Sequence, residues 1–177
     1  GGSSCETWIK KDVLAADPKY KDLLDKWKGH ENEGDNQQPA NIYNGVLKSH
    51  LGYGIRGAIW YQGESNRDRA QQYAKLFPSM IRDWRAAFGK EFAFVFVQIA
   101  PFGYRDDRGQ TFALRIAQEA ALAAEAAGRN HRLAVMGNAV GLVRRVRLHE
   151  ARNHAIHALR PVDRHGLAVG STSPALQ

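Results

Sequence analysis

Gln62-Gly-Glu-Ser-Asn66 gathers two amides, a carboxylate and a hydroxyl around one glycine, and the apolar run Gly57-Ala-Ile-Trp-Tyr61 leads straight into it. A buried parallel strand delivers side chains in this way to the carboxyl edge of a sheet, where open α/β folds place their ligands. Polar groups packed so closely cost free energy unless each finds a hydrogen-bond partner. Ser65 or Asn66 could equally cap a following helix, and that role is compatible with ligand contact. Two other clusters approach a reactive pattern and miss it. His149-Glu-Ala-Arg-Asn-His154 is the zinc motif H-E-x-x-H with one residue too many. At about 100° per residue its two histidines lie about 140° apart on a helix, so they cannot share an ion from one face. His154 and His157 can meet at i and i+3, but two imidazoles alone make a weak site. No metal or other cofactor is expected.

The elements that must position the Gln62 cluster can be read from periodicity. Residues 9–37 carry Ile9, Val13, Leu14, Leu23, Leu24 and Trp27 at roughly helical spacing, predicting one or two surface helices that end in a loop over 29–37. Ile42, Tyr43, Val46 and Leu47 predict a helix over 41–51. Residues 55–61 are the first clear strand. Tyr73, Leu76, Phe77, Met80, Ile81 and Trp84 share one face of a helix over 68–88, with a kink or restart expected at Pro78. Residues 92–99 read as a buried strand, 111–127 as an alanine-rich helix stopped by Gly128, and 133–136 as a third strand. Strand and helix alternate as in a doubly wound parallel sheet. After Gly141 the periodicity degrades to a loose basic helix over 143–156, and residues 170–177 read as a frayed tail.

Several separate segments, in order, resemble the sialate O-acetylesterase family of SGNH (GDSL-like) hydrolases. They are Gly1-Gly-Ser-Ser-Cys-Glu-Thr-Trp8, Gln38-Pro-Ala-Asn-Ile-Tyr-Asn-Gly45, Tyr53-Gly-Ile-Arg-Gly-Ala-Ile-Trp-Tyr-Gln-Gly-Glu-Ser-Asn66, Leu76-Phe-Pro-Ser-Met-Ile-Arg-Asp-Trp-Arg85 and Phe94-Val-Phe-Val-Gln-Ile-Ala-Pro101. The likeness covers about residues 1–104 and fades beyond Gly109. It implies a flavodoxin-like α/β three-layer sandwich with a parallel sheet, incomplete at both ends here. It also implies a serine carboxylic-ester hydrolase that removes acetyl groups from sugars through an acyl-enzyme, without a cofactor, in a secreted or periplasmic setting.

Such chemistry needs a serine, a histidine that takes its proton, a carboxylate that orients the histidine, and donors aimed at the oxyanion. The family's Gly-Gln-Ser-Asn-Met nucleophile segment is absent from this chain, and in the family pattern it would precede Gly1. Ser3 and Ser4 stand at variable positions and read as loop or cap hydroxyls. No aspartate has a histidine three residues later. Asp163-Arg-His165 is one residue short, and an i, i+2 pair faces apart on a regular element. By resemblance the oxyanion side remains, with the Gly2 backbone N–H and the Gln62 amide as donors. Gln62 suits the role, being uncharged at a strand end with two N–H groups. Glu64 is expected to support the loop by accepting from backbone or from Arg56, Arg67 or Arg69, in preference to acting as a base. Ser65 and Asn66 are the candidate binding residues. The chain alone is expected to show little or no esterase activity.

The formal charge is +7, with 44% hydrophobic and 24% charged residues, ordinary for a globular domain. Residues 141–177 carry six arginines against Glu150 and Asp163, which is +4 of that total, whereas all nine lysines lie at or before Lys90. That end has no Trp, Tyr or Phe, which argues against single-stranded nucleic acid as a partner. No apolar run approaches a bilayer span, and the single Cys5 excludes an internal disulfide. The division expected is a partial hydrolase domain over 1–140 and an Arg/His-rich segment over 141–177. A reading-frame slip near Val140, divergence or recombination would each account for the change. The partner expected is an O-acetylated carbohydrate. The competing reading is a non-catalytic glycan- or anion-binding module on the same scaffold.

Overall fold

The computed structural model describes residues 2–126 and 133–136. Three parallel strands, β1 (Gly57–Tyr61), β2 (Ala93–Val97) and β3 (Leu133–Met136), form a sheet in the order β1-β2-β3. The register sets Trp60 opposite Phe96 and Phe94 opposite Leu133. Five helices are described: α1 (Lys11–Ala15), α2 (Lys21–Asp25), α3 (Asn41–Gly45), α4 (Ala70–Ala87) and α5 (Gln110–Ala126). Short 3₁₀ segments cover Cys5–Trp8, Pro18–Tyr20, Leu47–His50 and Glu64–Arg69. Parallel neighbours need long crossovers, and α4 and α5 supply them.

The core lies on one face of the sheet. Trp60, Phe94 and Phe96 are buried there against α4, whose Tyr73, Leu76, Phe77, Met80, Ile81 and Trp84 are all buried, as their spacing predicts. Phe77 meets Phe94 and Phe96 edge-on, with ring centroids 5.9 and 5.0 Å apart. On the other face Ile59 is 80% and Tyr61 57% exposed. The expected α/β class with a parallel sheet is therefore present, but the described residues make two of the three expected layers. The strand order explains this. Successive crossovers of one hand that advance across a sheet without reversing stay on the same side.

Three local expectations differ in detail. Helix α4 runs unbroken through Pro78, which costs it one hydrogen bond while the buried face on either side holds the axis. The helix predicted over 41–51 divides at Val46, whose φ of −123° and ψ of −64° separate α3 from a 3₁₀ turn. Residues 9–25 form short helices that are anchored rather than superficial, since Ile9, Leu14, Tyr20 and Leu23 join the core. Gly128, the basic helix over 143–156, all four C-terminal histidines and the 141–177 segment lie outside the described residues.

Candidate active site

Strand β1 ends at Tyr61, and Gln62 and Gly63 turn the chain into the 3₁₀ segment Glu64–Arg69. Gly63 is required there by close approach. A Cβ would lie 2.7 Å from Leu114 Cδ2 and 2.8 Å from Ile99 Cγ2. Gln118 of α5 clamps the same corner, donating to the Gln62 carbonyl at 2.9 Å and accepting from the Ile99 N–H at 3.1 Å.

Residues 2–8 form the opposing wall, and three tryptophans hold it in place. Trp8 packs on Trp60 and Trp84 with centroids 5.4 and 6.0 Å away, and its carbonyl accepts from Trp84 Nε1 at 2.9 Å. Each such ring pair contributes about 0.5–1.5 kcal/mol beyond area burial. The wall brings Glu6 to Asn66, and a buried polar chain follows. Asn66 Oδ1 accepts from the Cys5 N–H at 2.8 Å, which sets the orientation of its amide. Asn66 Nδ2 then donates to Glu6 Oε2 at 2.8 Å, and Glu6 Oε1 accepts from Arg69 Nη1, also at 2.8 Å. Gln62 Nε2 donates to Asn66 Oδ1 at 2.7 Å and to the Ser3 carbonyl at 3.0 Å. Because a backbone donor fixes the first amide, the second cannot flip without setting acceptor against acceptor.

The expected site residues separate by role. Gln62 stands where the sequence places it, 7% exposed, with both Nε2 protons on protein acceptors and its Oε1 buried without a partner among the described residues. Gly2 lies beside it at φ +81°, its carbonyl held by Ser65 Oγ at 2.6 Å and by Gln37 Nε2. Its N–H has no acceptor among the described residues. Ser65 thus braces the Gly2 segment. Asn66 is 0% exposed and its side-chain bonds all run to protein groups, so its geometry is that of a strut between Glu6 and Gln62 rather than a ligand contact. Neither amide nor hydroxyl is a helix cap, since no side-chain cap bond closes the Glu64–Arg69 turn.

Glu64 is exposed and sits beside the Tyr61 hydroxyl, whose pKa is raised by burial first and by that carboxylate second. None of the three arginines expected at Glu64 pairs with it among the described residues. Arg69 goes to Glu6, and Arg67 bonds Asp106 at 3.2 Å beneath the Tyr104 ring, 3.7 Å from its centroid. The carboxylate that supports the loop is Glu6. In the sequence Glu6 is marked only by its place in the segment Gly1-Gly-Ser-Ser-Cys-Glu-Thr-Trp8, two residues before Trp8. Among the described residues, Ser4, buried with an unpartnered hydroxyl, is the one serine close to this wall whose oxygen is not already engaged.

A family model described as carbohydrate esterase, sialic acid-specific acetylesterase, matches residues 1–142. Sialate O-acetylesterase of Mus musculus is 33% identical over 70 residues, 34% of this chain and 13% of that protein. The protein of the same name from Homo sapiens is 32% identical over 63 residues, 35% of this chain and 12% of the other. That from Rattus norvegicus is 30% identical over 70 residues, 34% and 13% of the two chains. The matched stretch thus spans only 12–13% of the length of these curated relatives.

Proposed function

The chain belongs to the sialic acid-specific acetylesterase family of carbohydrate esterases, and from that premise we propose that its Gln62 loop is the oxyanion side of a site that removes O-acetyl groups from sugars. The observation that carries this reading is Gln62 itself. A neutral amide is held at the carboxyl end of a parallel strand through Asn66, Glu6 and the half-buried Arg69, and it bonds the carbonyl of Ser3, the residue after Gly2. Donors held in place stabilise charge as it develops on a carbonyl oxygen, and here the Asn66 bond fixes the amide while its other N–H rests on the Ser3 carbonyl. To serve, one Gln62 N–H exchanges the Ser3 carbonyl for the oxyanion, while the Asn66 bond keeps the amide in place. The nucleophile and base are not assigned to any residue of this chain, so the chain alone turns over little or no ester.

One observation favours the competing reading of a non-catalytic binding module. Both Gln62 N–H groups already bond protein acceptors. Ligand-observed NMR separates the two. The oxyanion reading expects an O-acetylated sugar to bind more tightly than its deacetylated form, with saturation reaching the acetyl methyl protons and the preference lost in Gln62→Ala. Equal binding of the two forms sinks it. Acetate release well above buffer background would place a working nucleophile in this chain and overturn the expectation of little activity.

A further inference from the structure

The run Gln38-Pro-Ala-Asn-Ile-Tyr-Asn-Gly45 takes no part in the Gln62 loop, yet it borders a groove of about 490 Å³ that Trp27, Glu31 and Glu33 complete. That volume lies within the range of small-molecule sites. The floor is rigid. Asn41 Nδ2 donates to the carbonyls of Asn32 at 2.7 Å and Asp35 at 3.0 Å, and its Oδ1 accepts from Gln38 Nε2 at 3.2 Å. Ala40 has the one positive φ of a non-glycine among the described residues, 67°, and its N–H donates to the Glu6 carbonyl at 3.1 Å. The groove therefore shares a wall with the Gln62 site.

The groups left to a ligand are of distinct kinds. The Asn44 amide and the Glu33 carboxylate are exposed, with no partner among the described residues, and the Trp27 indole, which stacks on His30 with centroids 5.9 Å apart, adds a flat apolar ring with a polar N–H. Glu31 gives one oxygen to the Gly29 N–H at 3.1 Å. Amide and carboxylate suit hydroxyl groups, and an indole face suits the C–H face of a ring. Charge narrows the choice. Two glutamates against Lys11 make this groove acidic although the chain is +7, so a carboxylate or phosphate is disfavoured. We propose that this groove binds a neutral pyranose, the unmodified neighbour in a glycan whose other sugar reaches the adjoining wall. The groove's own affinity does not depend on ester hydrolysis at Gln62.

Saturation-transfer NMR on the full chain tests it, with methyl β-galactopyranoside and methyl N-acetyl-β-glucosaminide as neutral probes and N-acetylneuraminic acid as the anionic one. The expected result is saturation of ring C–H protons in a neutral probe at millimolar concentration. Trp27→Ala should weaken that binding about tenfold or more, the loss usual for a truncated aromatic anchor, and Gln62→Ala should leave it unchanged. No saturation of either neutral probe, saturation of the acidic probe alone, or equal binding in Trp27→Ala would each overturn the proposal. Should Trp27→Ala lose its fold, Asn44→Ala and Glu33→Ala decide instead, since both side chains are exposed. Unchanged binding in both would overturn it.

Discussion

Replacing Asn66 by aspartate changes one atom in the buried network and should make stability depend steeply on pH. The Cys5 and Gln62 bonds to Oδ1 survive, because they need only an acceptor. The bond to Glu6 does not. A donor 2.8 Å from Glu6 Oε2 becomes a second carboxylate oxygen. At an effective dielectric near 20, two unit charges at that separation repel by roughly 6 kcal/mol. Arg69 offsets part of this from the far side of Glu6. The cost also has a ceiling, because the introduced group can fold protonated and donate to Glu6 again. Holding a proton above an unfolded pKa near 3.9 costs about 1.4 kcal/mol per pH unit, so the ceiling is about 4 kcal/mol at pH 7 and about 1.5 at pH 5. The sign follows from a folded-state pKa raised above the unfolded one. The variant is close to the parent below about pH 4 and loses ground as pH rises. Urea unfolding followed by tryptophan fluorescence measures it. Glu6→Gln in the same chain should recover most of the loss at pH 7. A penalty that stays flat from pH 5 to 7, or below about 1 kcal/mol at pH 7, would refute the network as described.

Gly63→Ala should cost about 1–3 kcal/mol in the same assay, because its Cβ would press on two branched side chains that are fully buried and have nowhere to move. A loss under about 0.5 kcal/mol would mean that Leu114 and Ile99 pack less tightly than described. The molecule should also lose stability in alkali. Burial pushes both the Cys5 thiol and the Tyr73 phenol well above their ordinary ranges. The unfolded chain therefore releases those protons first, and stability declines from about pH 8.5 for the thiol and about 10 for the phenol. Tyr73→Phe should flatten the upper part of that profile. Identical profiles would exclude the phenol as its cause.

The α/β class, the strands and the long helices were legible before any coordinates because each rests on local signals. The six apolar residues of α4 fall on one face at helical spacing, and the β2 run is short, aromatic and β-branched. Pro78 misled because a proline removes only one hydrogen bond, and the packing on both sides of it compensates. The Gln62 cluster stood out for a similar local reason, four polar side chains around one glycine after an apolar strand. Their partners did not, because the bonds that define their roles, apart from the one between Gln62 and Asn66, span about sixty residues of chain. Cys5, Glu6, Ser3 and Gly2 reach Asn66, Gln62 and Ser65 only after Trp8 docks on Trp60 and Trp84. Sequence alone thus determined which residues form strand, helix and polar turn, since those follow from the period of burial along one segment. Only the tertiary structure decided that Glu6 rather than Glu64 braces the loop and that Asn66 is a strut, because a buried carboxylate takes whichever partner the packing of distant segments sets within hydrogen-bond reach.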